Sequence, residues 1–232
     1  MVRGPVTAVV LAAGDGTRMA STTPKVMVDL AGKPLLSWSV DVFERTPEVD
    51  TIVVVAHPGM IPEVASLLDG LPKVEAVVPG GSTRSASVIA ALNIIATPTG
   101  TVLVHDAARP LVEPHTISRL VSTLKTAEAA TVAVPARDTI MQADGGTITD
   151  IPDRSRLWHA QTPQGFSLAT LREAYEAAGP DPDFTDDCGI VRRYVPSVAI
   201  HVVPGSDDNI KITVSGDLQI AERSLAHRGE GT

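Results

Sequence analysis

The chain has 232 residues, 44% of them hydrophobic, enough for one large domain with a sizeable core. Its formal net charge of −8 argues against non-specific binding to nucleic acid or an anionic membrane, and no apolar run approaches the ~18 residues of a membrane span. The single cysteine, Cys188, excludes an internal disulfide and suits a reducing cytoplasm.

Residues 1–5 lead into the first apolar run without a leader-like segment, so a cytoplasmic protein is expected. Residues 6–11 read as a buried strand. Residues 34–43 read as a helix with Leu35, Leu36, Val40 and Phe43 on one stripe. A β-branched strand follows at 51–56, a helix at 61–68, a strand at 74–78 and a helix at 84–95. Residues 101–104 and 131–135 read as strands around a helix at 116–126. With aromatics at only 3%, Val, Ile, Leu and Ala must build the core. This alternation predicts an α/β fold with a doubly wound, mostly parallel sheet and ligands at the carboxyl ends of its strands. The pattern breaks at 138–158, where Thr-Ile pairs flank Asp144-Gly145-Gly146 and predict a hairpin that needs a surface to pack on. Helices are expected at 168–178 and 186–194, strands at 198–203 and 209–213, and a last helix from Ser215, which can cap it, with Asp217 in its first turn.

The string LAAGDGTRM at 11–19, closed by Pro24-Lys25, follows the first strand. Ala12, Ala13, Gly14 and Gly16 let backbone approach a ligand closely, and Arg18 and Lys25 supply fixed cations for phosphates. Neither the Walker A loop nor the dinucleotide fingerprint fits, because Thr17-Arg18 and Met19 stand where those motifs need other residues. Gly80-Gly81 opens a second loop, with Ser82 or Thr83 able to cap the next helix and Arg84 and Ser87 facing the pocket. His105-Asp106-Ala107-Ala108-Arg109-Pro110 ends a buried strand. There Asp106 is placed to hold Mg2+, although alone it reads as a loop or capping carboxylate. Thr139, Thr162 and Arg154 can donate to a second phosphate. Lys211 sits on the expected strand 209–213, Cys188 reads as a packed helix residue, and Asp186-Asp187 as a helix N-terminal pair. No zinc spacing and no G-x-S-x-G elbow is present.

In series, LAAGDGTRM, PK, GGSTRSASV, HDAARP, RDT, DR, WHAQTPQGF, TDD and DNIKIT followed by DL and AE cover nearly the whole chain. Together they resemble the 2-C-methyl-D-erythritol 4-phosphate cytidylyltransferases of the non-mevalonate isoprenoid pathway. The resemblance implies CMP transfer from CTP to that polyol phosphate, with Mg2+. It also implies one Rossmann-like nucleotidyltransferase domain over 1–232, with 138–158 as a protruding β-arm that clasps its copy in a homodimer. By the same resemblance, Arg18 and Lys25 would stabilise charge on the α-phosphate. Ala12, Ala13, Gly14, Gly16, Gly81 and Ser87 would contact CTP, and Asp106 would touch Mg2+, nucleotide or polyol. Arg154 and Lys211 would position the polyol phosphate, with Arg109, Thr139 and Thr162 around it. Residues 151–154 and Thr185-Asp186-Asp187-Cys188 are also similar to ribitol-5-phosphate cytidylyltransferases, the alternative acceptor. A non-catalytic nucleotide-binding protein of the same fold is a third reading, against which Arg18, Lys25, Asp106 and Lys211 together speak.

Overall fold

The computed structural model describes residues 4–14, 24–179 and 184–229. Its elements follow the apolar runs. β1 (Val6–Ala12) is followed by a 3-10 turn (Lys25–Met27), the short strands β2 (Asp29–Leu30) and β3 (Lys33–Pro34), and α1 (Leu35–Glu44). Then come β4 (Thr51–Ala56), α2 (Ile61–Leu67), β5 (Val74–Pro79), α3 (Arg84–Ile94), β6 (Thr101–Asp106), α4 (Pro114–Leu124) and β7 (Ala129–Pro135). The remainder carries β8 (Gln142–Asp144), β9 (Thr147–Asp150), β10 (Trp158–Ser167), α5 (Leu168–Ala178), α6 (Asp187–Tyr194), β11 (Ile200–Pro204) and α7 (Ser215–Gly229).

Seven strands form one sheet in the order β11-β7-β10-β6-β1-β4-β5. β10 runs antiparallel to β6 and β7, and the other pairings are parallel. Parallel strands are stable only with both faces covered. Their side chains therefore divide by the period of two. Ala8, Val10, Ile52, Val54 and Leu103 pack with Leu36, Val40 and Phe43 of α1, Val64 of α2 and Ile117 and Leu120 of α4. Val9, Val53, Val55, Val102 and Val104 pack the other way, with Val88 and Ala91 of α3, Leu171 and Tyr175 of α5 and Ile190 of α6. The expected doubly wound, mostly parallel sheet is therefore observed. A third cluster seats α7, through Ala221, on Leu30, Leu35, Leu111 and Ile212.

Three expectations need correction. Residues 159–167, left without an assigned element in the sequence, complete the ten-residue strand β10. Its two Gln, a Gly and Pro163 hide the apolar pattern, and the pairing with β7 slips between Ala160 and Gln164. Residues 209–213 form no strand; side chains fasten the segment instead, with the Arg109 guanidinium on the Asn209 carbonyl and the Asn209 side-chain amide on the Thr162 carbonyl. Ser215 does not cap α7; the Asp217 carboxylate reaches back in its place.

The expected hairpin exists as β8 and β9, a two-stranded sheet separate from the main one, with every strand residue exposed. Gly145 (φ 53°) and Gly146 (φ 83°) form its turn, where positive φ at both central positions is what a tight hairpin requires.

Gly165 of β10 lies beneath α4, where an added Cβ would stand 2.4 Å from Leu124 Cδ1 and 3.1 Å from Leu103 Cδ2. Gly165→Ala is expected to cost about 1–3 kcal/mol by overpacking, read as a lower urea midpoint at unchanged slope.

Candidate active site

The chain runs from β1 outward through β4 and β5, then returns to β6 on the other side of β1. Ligands bind at such a reversal, outside the carboxyl ends of the strands. Here β1 and β6 end side by side, with Leu11 opposite Asp106. Residues 11–14 at the end of β1, His57-Pro58 after β4, Gly80–Arg84 after β5 and Asp106 and Ala108 at the end of β6 surround a cavity of about 670 Å³. Lys25, Lys211 and Thr213 complete its lining. The size suits one small organic ligand.

Close packing shapes the wall. A Cβ at Gly80 would stand 2.3 Å from the Ala13 Cβ, and one at Gly81 would stand 2.4 Å from the Ala86 Cβ. Thr83 caps α3 by accepting the Ala86 amide at 3.0 Å. Ser87 Oγ accepts from the Gly81 amide at 3.2 Å and donates to the Thr83 carbonyl at 3.0 Å. Ser87 thus holds the loop shut, and backbone is left to face a ligand.

A row of alternating charges runs from the core into the cleft. The fully buried Asp187, first residue of α6, accepts the Tyr175 hydroxyl at 2.6 Å. Arg84 Nη1 lies 2.8 Å from its other oxygen, a close ion pair without hydrogen-bond alignment. Arg84 Nε then meets Asp106 Oδ1 at 3.3 Å, and Lys211 Nζ meets Asp106 Oδ2 at 2.6 Å. Lys211, 39% exposed, is the outermost. Burial pushes the Asp106 carboxyl up, but Arg84 and Lys211 outweigh it and hold it well below the usual carboxylate range. Burial likewise works against the charge on Arg84, and Asp187 and Asp106 overcome it. Burial and the charge of Asp187 raise Tyr175 far above its normal value, so it stays a donor. Burial also raises the Cys188 thiol, which rules out a thiolate nucleophile near neutral pH.

Behind Asp106, His105 is fully buried against Phe43, with ring centroids 5.1 Å apart. The Asp106 amide donates to Thr162 Oγ1 at 3.1 Å, and that hydroxyl stands 3.0 Å from His105 Nδ1. The hydroxyl therefore donates to Nδ1, and Nε2–H donates to the Arg109 carbonyl at 3.1 Å. The Arg109 guanidinium spans the carbonyls of Asn209 (2.8 Å) and Ala160 (3.2 Å).

Of the residues singled out in the sequence, Ala12, Ala13, Gly14, Lys25, Gly81, Ser87, Asp106 and Lys211 line one cleft. Thr162 and Arg109 stand behind it as braces. Thr139 and Arg154 are exposed near the hairpin and do not line the cleft of their own chain; Arg154 Nη1 donates to the Arg137 carbonyl at 2.7 Å. Gly16 and Arg18 lie outside the described residues. Sequence reasoning missed Asp187 and its partners Tyr175 and Gln164. A signal existed in the Asp186-Asp187 doublet: a helix needs one cap, and Asp186 supplies it to the Gly189 amide at 2.8 Å, leaving Asp187 for another task.

Burial, partly offset by Asp106, lowers the His105 pKa from 6.5 to about 4. The unfolded chain therefore binds a proton there that the folded chain refuses. Its contribution to stability is complete above pH 6.5 and is lost as pH falls toward about 4. A loss on the order of 3 kcal/mol is expected across that window, read from urea unfolding, and a His105→Gln variant should show a flatter slope.

A sequence profile of the 2-C-methyl-D-erythritol 4-phosphate cytidylyltransferase family matches residues 6–227. A protein of that name from Thermobifida fusca is 44% identical over 234 residues, spanning 96% of this chain and 94% of its own. One from Bifidobacterium longum strain DJO10A is 42% identical over 231 residues, spanning 94% of this chain and 79% of its own. The crystal structure of 4-diphosphocytidyl-2C-methyl-D-erythritol synthase from Anaerococcus prevotii superposes with a TM-score of 0.84 at 26% identity, covering 96% of each chain. That of 2-C-methyl-D-erythritol 4-phosphate cytidylyltransferase from Francisella tularensis does so at 0.81 and 30% identity, covering 96% of this chain and 100% of that one. With the fold, the cleft and the match in agreement along its length, the chain belongs to the 2-C-methyl-D-erythritol 4-phosphate cytidylyltransferase family.

Proposed function

We propose that this cleft transfers CMP from CTP to 2-C-methyl-D-erythritol 4-phosphate, yielding 4-diphosphocytidyl-2-C-methyl-D-erythritol and pyrophosphate. The observation that carries the reading is the convergence of Lys25, Asp106 and Lys211 with two small-residue loops at the reversal point of the sheet. The backbone of residues 12–14 and 80–81 cradles the nucleotide, leaving room for a small pyrimidine. A phosphate oxygen of the polyol attacks the α-phosphorus in line. The bond from that phosphorus to the bridging oxygen breaks, and its electron pair leaves on pyrophosphate. Lys25, with Arg18, stabilises the charge that builds on the α-phosphate. Lys211 binds the incoming phosphate, exchanging its contact with Asp106 for the substrate, while Arg84 keeps Asp106 ionised. No protein side chain becomes covalently bonded, so the rate comes from positioning and charge stabilisation.

Mg2+ fits this cleft as an ion that arrives with the triphosphate. Among the described residues no three acidic, His or Cys side chains converge, and Asp106 is the sole carboxylate lining the cleft. Mg2+ takes one or two carboxylates and draws its other ligands from phosphate and water. Asp106 would hold it, and the ion would neutralise phosphate charge. The reaction belongs in the cytoplasm; no helix among the described residues is long and apolar enough to cross a membrane.

The hairpin supports a homodimer. Ile140, Met141, Ile148 and Ile151 lie exposed in the hairpin and its flanks, and Trp158 at the start of β10, apolar surface that a small free hairpin does not leave in water. Clasping its copy about a two-fold axis would cover them. Thr139 and Arg154 would then serve the cleft of the other protomer.

The test is pyrophosphate release with CTP, ATP or GTP against methylerythritol phosphate and ribitol 5-phosphate. Turnover is expected with CTP and methylerythritol phosphate; comparable turnover with a purine nucleotide or with ribitol 5-phosphate sinks the assignment. In the same assay Lys25→Ala should lower kcat by roughly 10²–10³. Lys211→Ala should mainly raise KM for the polyol phosphate. Deleting residues 141–149 should yield a monomer and abolish activity together, as read by sedimentation and turnover. A wild-type chain that sediments as a fully active monomer at micromolar concentration rules out the clasp.

A further inference from the structure

Lys211 enters the cleft from a segment that belongs to no strand. On its inner side the segment is anchored by Ile212, whose side chain is buried among Leu30, Leu35, Leu111 and Ala221. The Ile212 amide donates to the Ala108 carbonyl at 2.8 Å. Beyond Ile212 one carboxylate oxygen gathers three donors. Asp217 Oδ2 accepts the Thr213 amide at 2.6 Å, the Thr213 hydroxyl at 2.8 Å and the Val214 amide at 3.0 Å. Asp217 is the third residue of α7, the position from which an acid reaches back to the amides ahead of a helix, and negative charge is favoured there.

Lys211 depends on this corner. Lys211 lies two residues before Thr213, and Thr213 itself lines the cleft beside Lys25. Slight burial pushes the Asp217 carboxyl up. The donors of Val214 and Thr213, together with the positive charge of Lys25, outweigh it and hold it below the usual range. Asp217 does not line the cleft.

We propose that Asp217 is a positioning residue for cytidylyl transfer, fixing Lys211 through its clamp on Thr213 and Val214. A lysine ends in a point charge on a flexible four-carbon stem, so the place of its backbone decides where the ammonium can work. When substrate phosphate draws Lys211 away from Asp106, the clamp keeps the segment in place. The inference rests on the cytidylyltransferase reading, and the experiment separates the two.

Asp217→Ala, Asp217→Asn and Asp217→Glu are compared with Lys25→Ala and Lys211→Ala by steady-state pyrophosphate release, well below each melting temperature. Asp217→Ala should lower kcat about tenfold or more and raise KM for the polyol phosphate severalfold, with KM for CTP within about twofold. Asp217→Asn, which keeps an acceptor and loses the charge, should fall between Ala and wild type. Asp217→Glu, which still reaches back from the third helical position, should recover most of the loss. A purely structural role would lower the melting temperature and leave kcat and KM unchanged, which overturns the proposal. So does wild-type kinetics in Asp217→Ala while both lysine variants are impaired, and there the reaction assignment stands. Full activity in both lysine variants overturns the assignment itself. If Asp217→Ala does not fold, Asp217→Asn decides, and wild-type kinetics in it overturns the role.

Discussion

The cleft is organised around the Asp106 carboxylate, held between Arg84 and Lys211. A carboxylate in a site for anionic substrates repels what the site must bind unless cations outnumber it locally. Arg84 and Lys211 supply them, and Asp187 keeps Arg84 where it is. Each charge would be costly to bury alone, by several kcal/mol in the effective interior. In a row of alternating sign each is compensated by its neighbour. Removing any inner member leaves an uncompensated buried charge, which is the costly state. The row also stiffens the site, because Arg84 is pinned at both ends.

Around that row the backbone is held by contacts with no slack. Gly80 and Ala13 meet so closely that one methyl would separate the ends of β5 and β1. Thr162, His105 and Arg109 fasten the end of β6 to β10 and to residue 209. Asn209 adds its own amide to the Thr162 carbonyl at 2.9 Å. The antiparallel strand β10 is thus a brace for the site as well as a member of the sheet. It carries Gln164, whose side-chain Oε1 accepts the Asp187 and Cys188 amides and so sets the start of α6. From there the Arg84 counter-ion is aimed.

Two parts of the chain lack a sheet to lean on and solve it differently. The 209–214 segment uses side chains in place of a ladder, with Ile212 in an apolar cluster and Asp217 gathering its amides. The β8–β9 hairpin has only its own two strands and an exposed apolar flank. The first solution is internal and leaves a positioned lysine. The second calls for another surface, and a second copy of the chain is the one we propose.

Much of the fold was legible in the sequence, because period and punctuation are local. The β-branched run at 51–56 became β4 residue for residue, the helix at 168–178 became α5, and the Gly145-Gly146 turn formed where it was read. That Ala12, Ala13, Gly14 and Asp106 stand together at strand ends was legible for the same reason, since strand ends and small-residue loops are written in neighbouring positions. Strand β10 was not, because Gln161, Pro163, Gln164 and Gly165 break the period, and pairing on both sides is what makes Gln164, Gly165 and Phe166 strand residues. Nor was the absence of a strand at 209–213, where contacts with Arg109 and Thr162, far away in the chain, hold the segment. The Arg84–Asp187 pair and the reach of Asp217 to Thr213 lay further out of sight. Sequence states which charges exist and what each could do locally. Which charge is buried beside which is decided when segments a hundred residues apart, such as Arg84 and Asp187, are packed into one low-dielectric interior where no ion can stay unpaired.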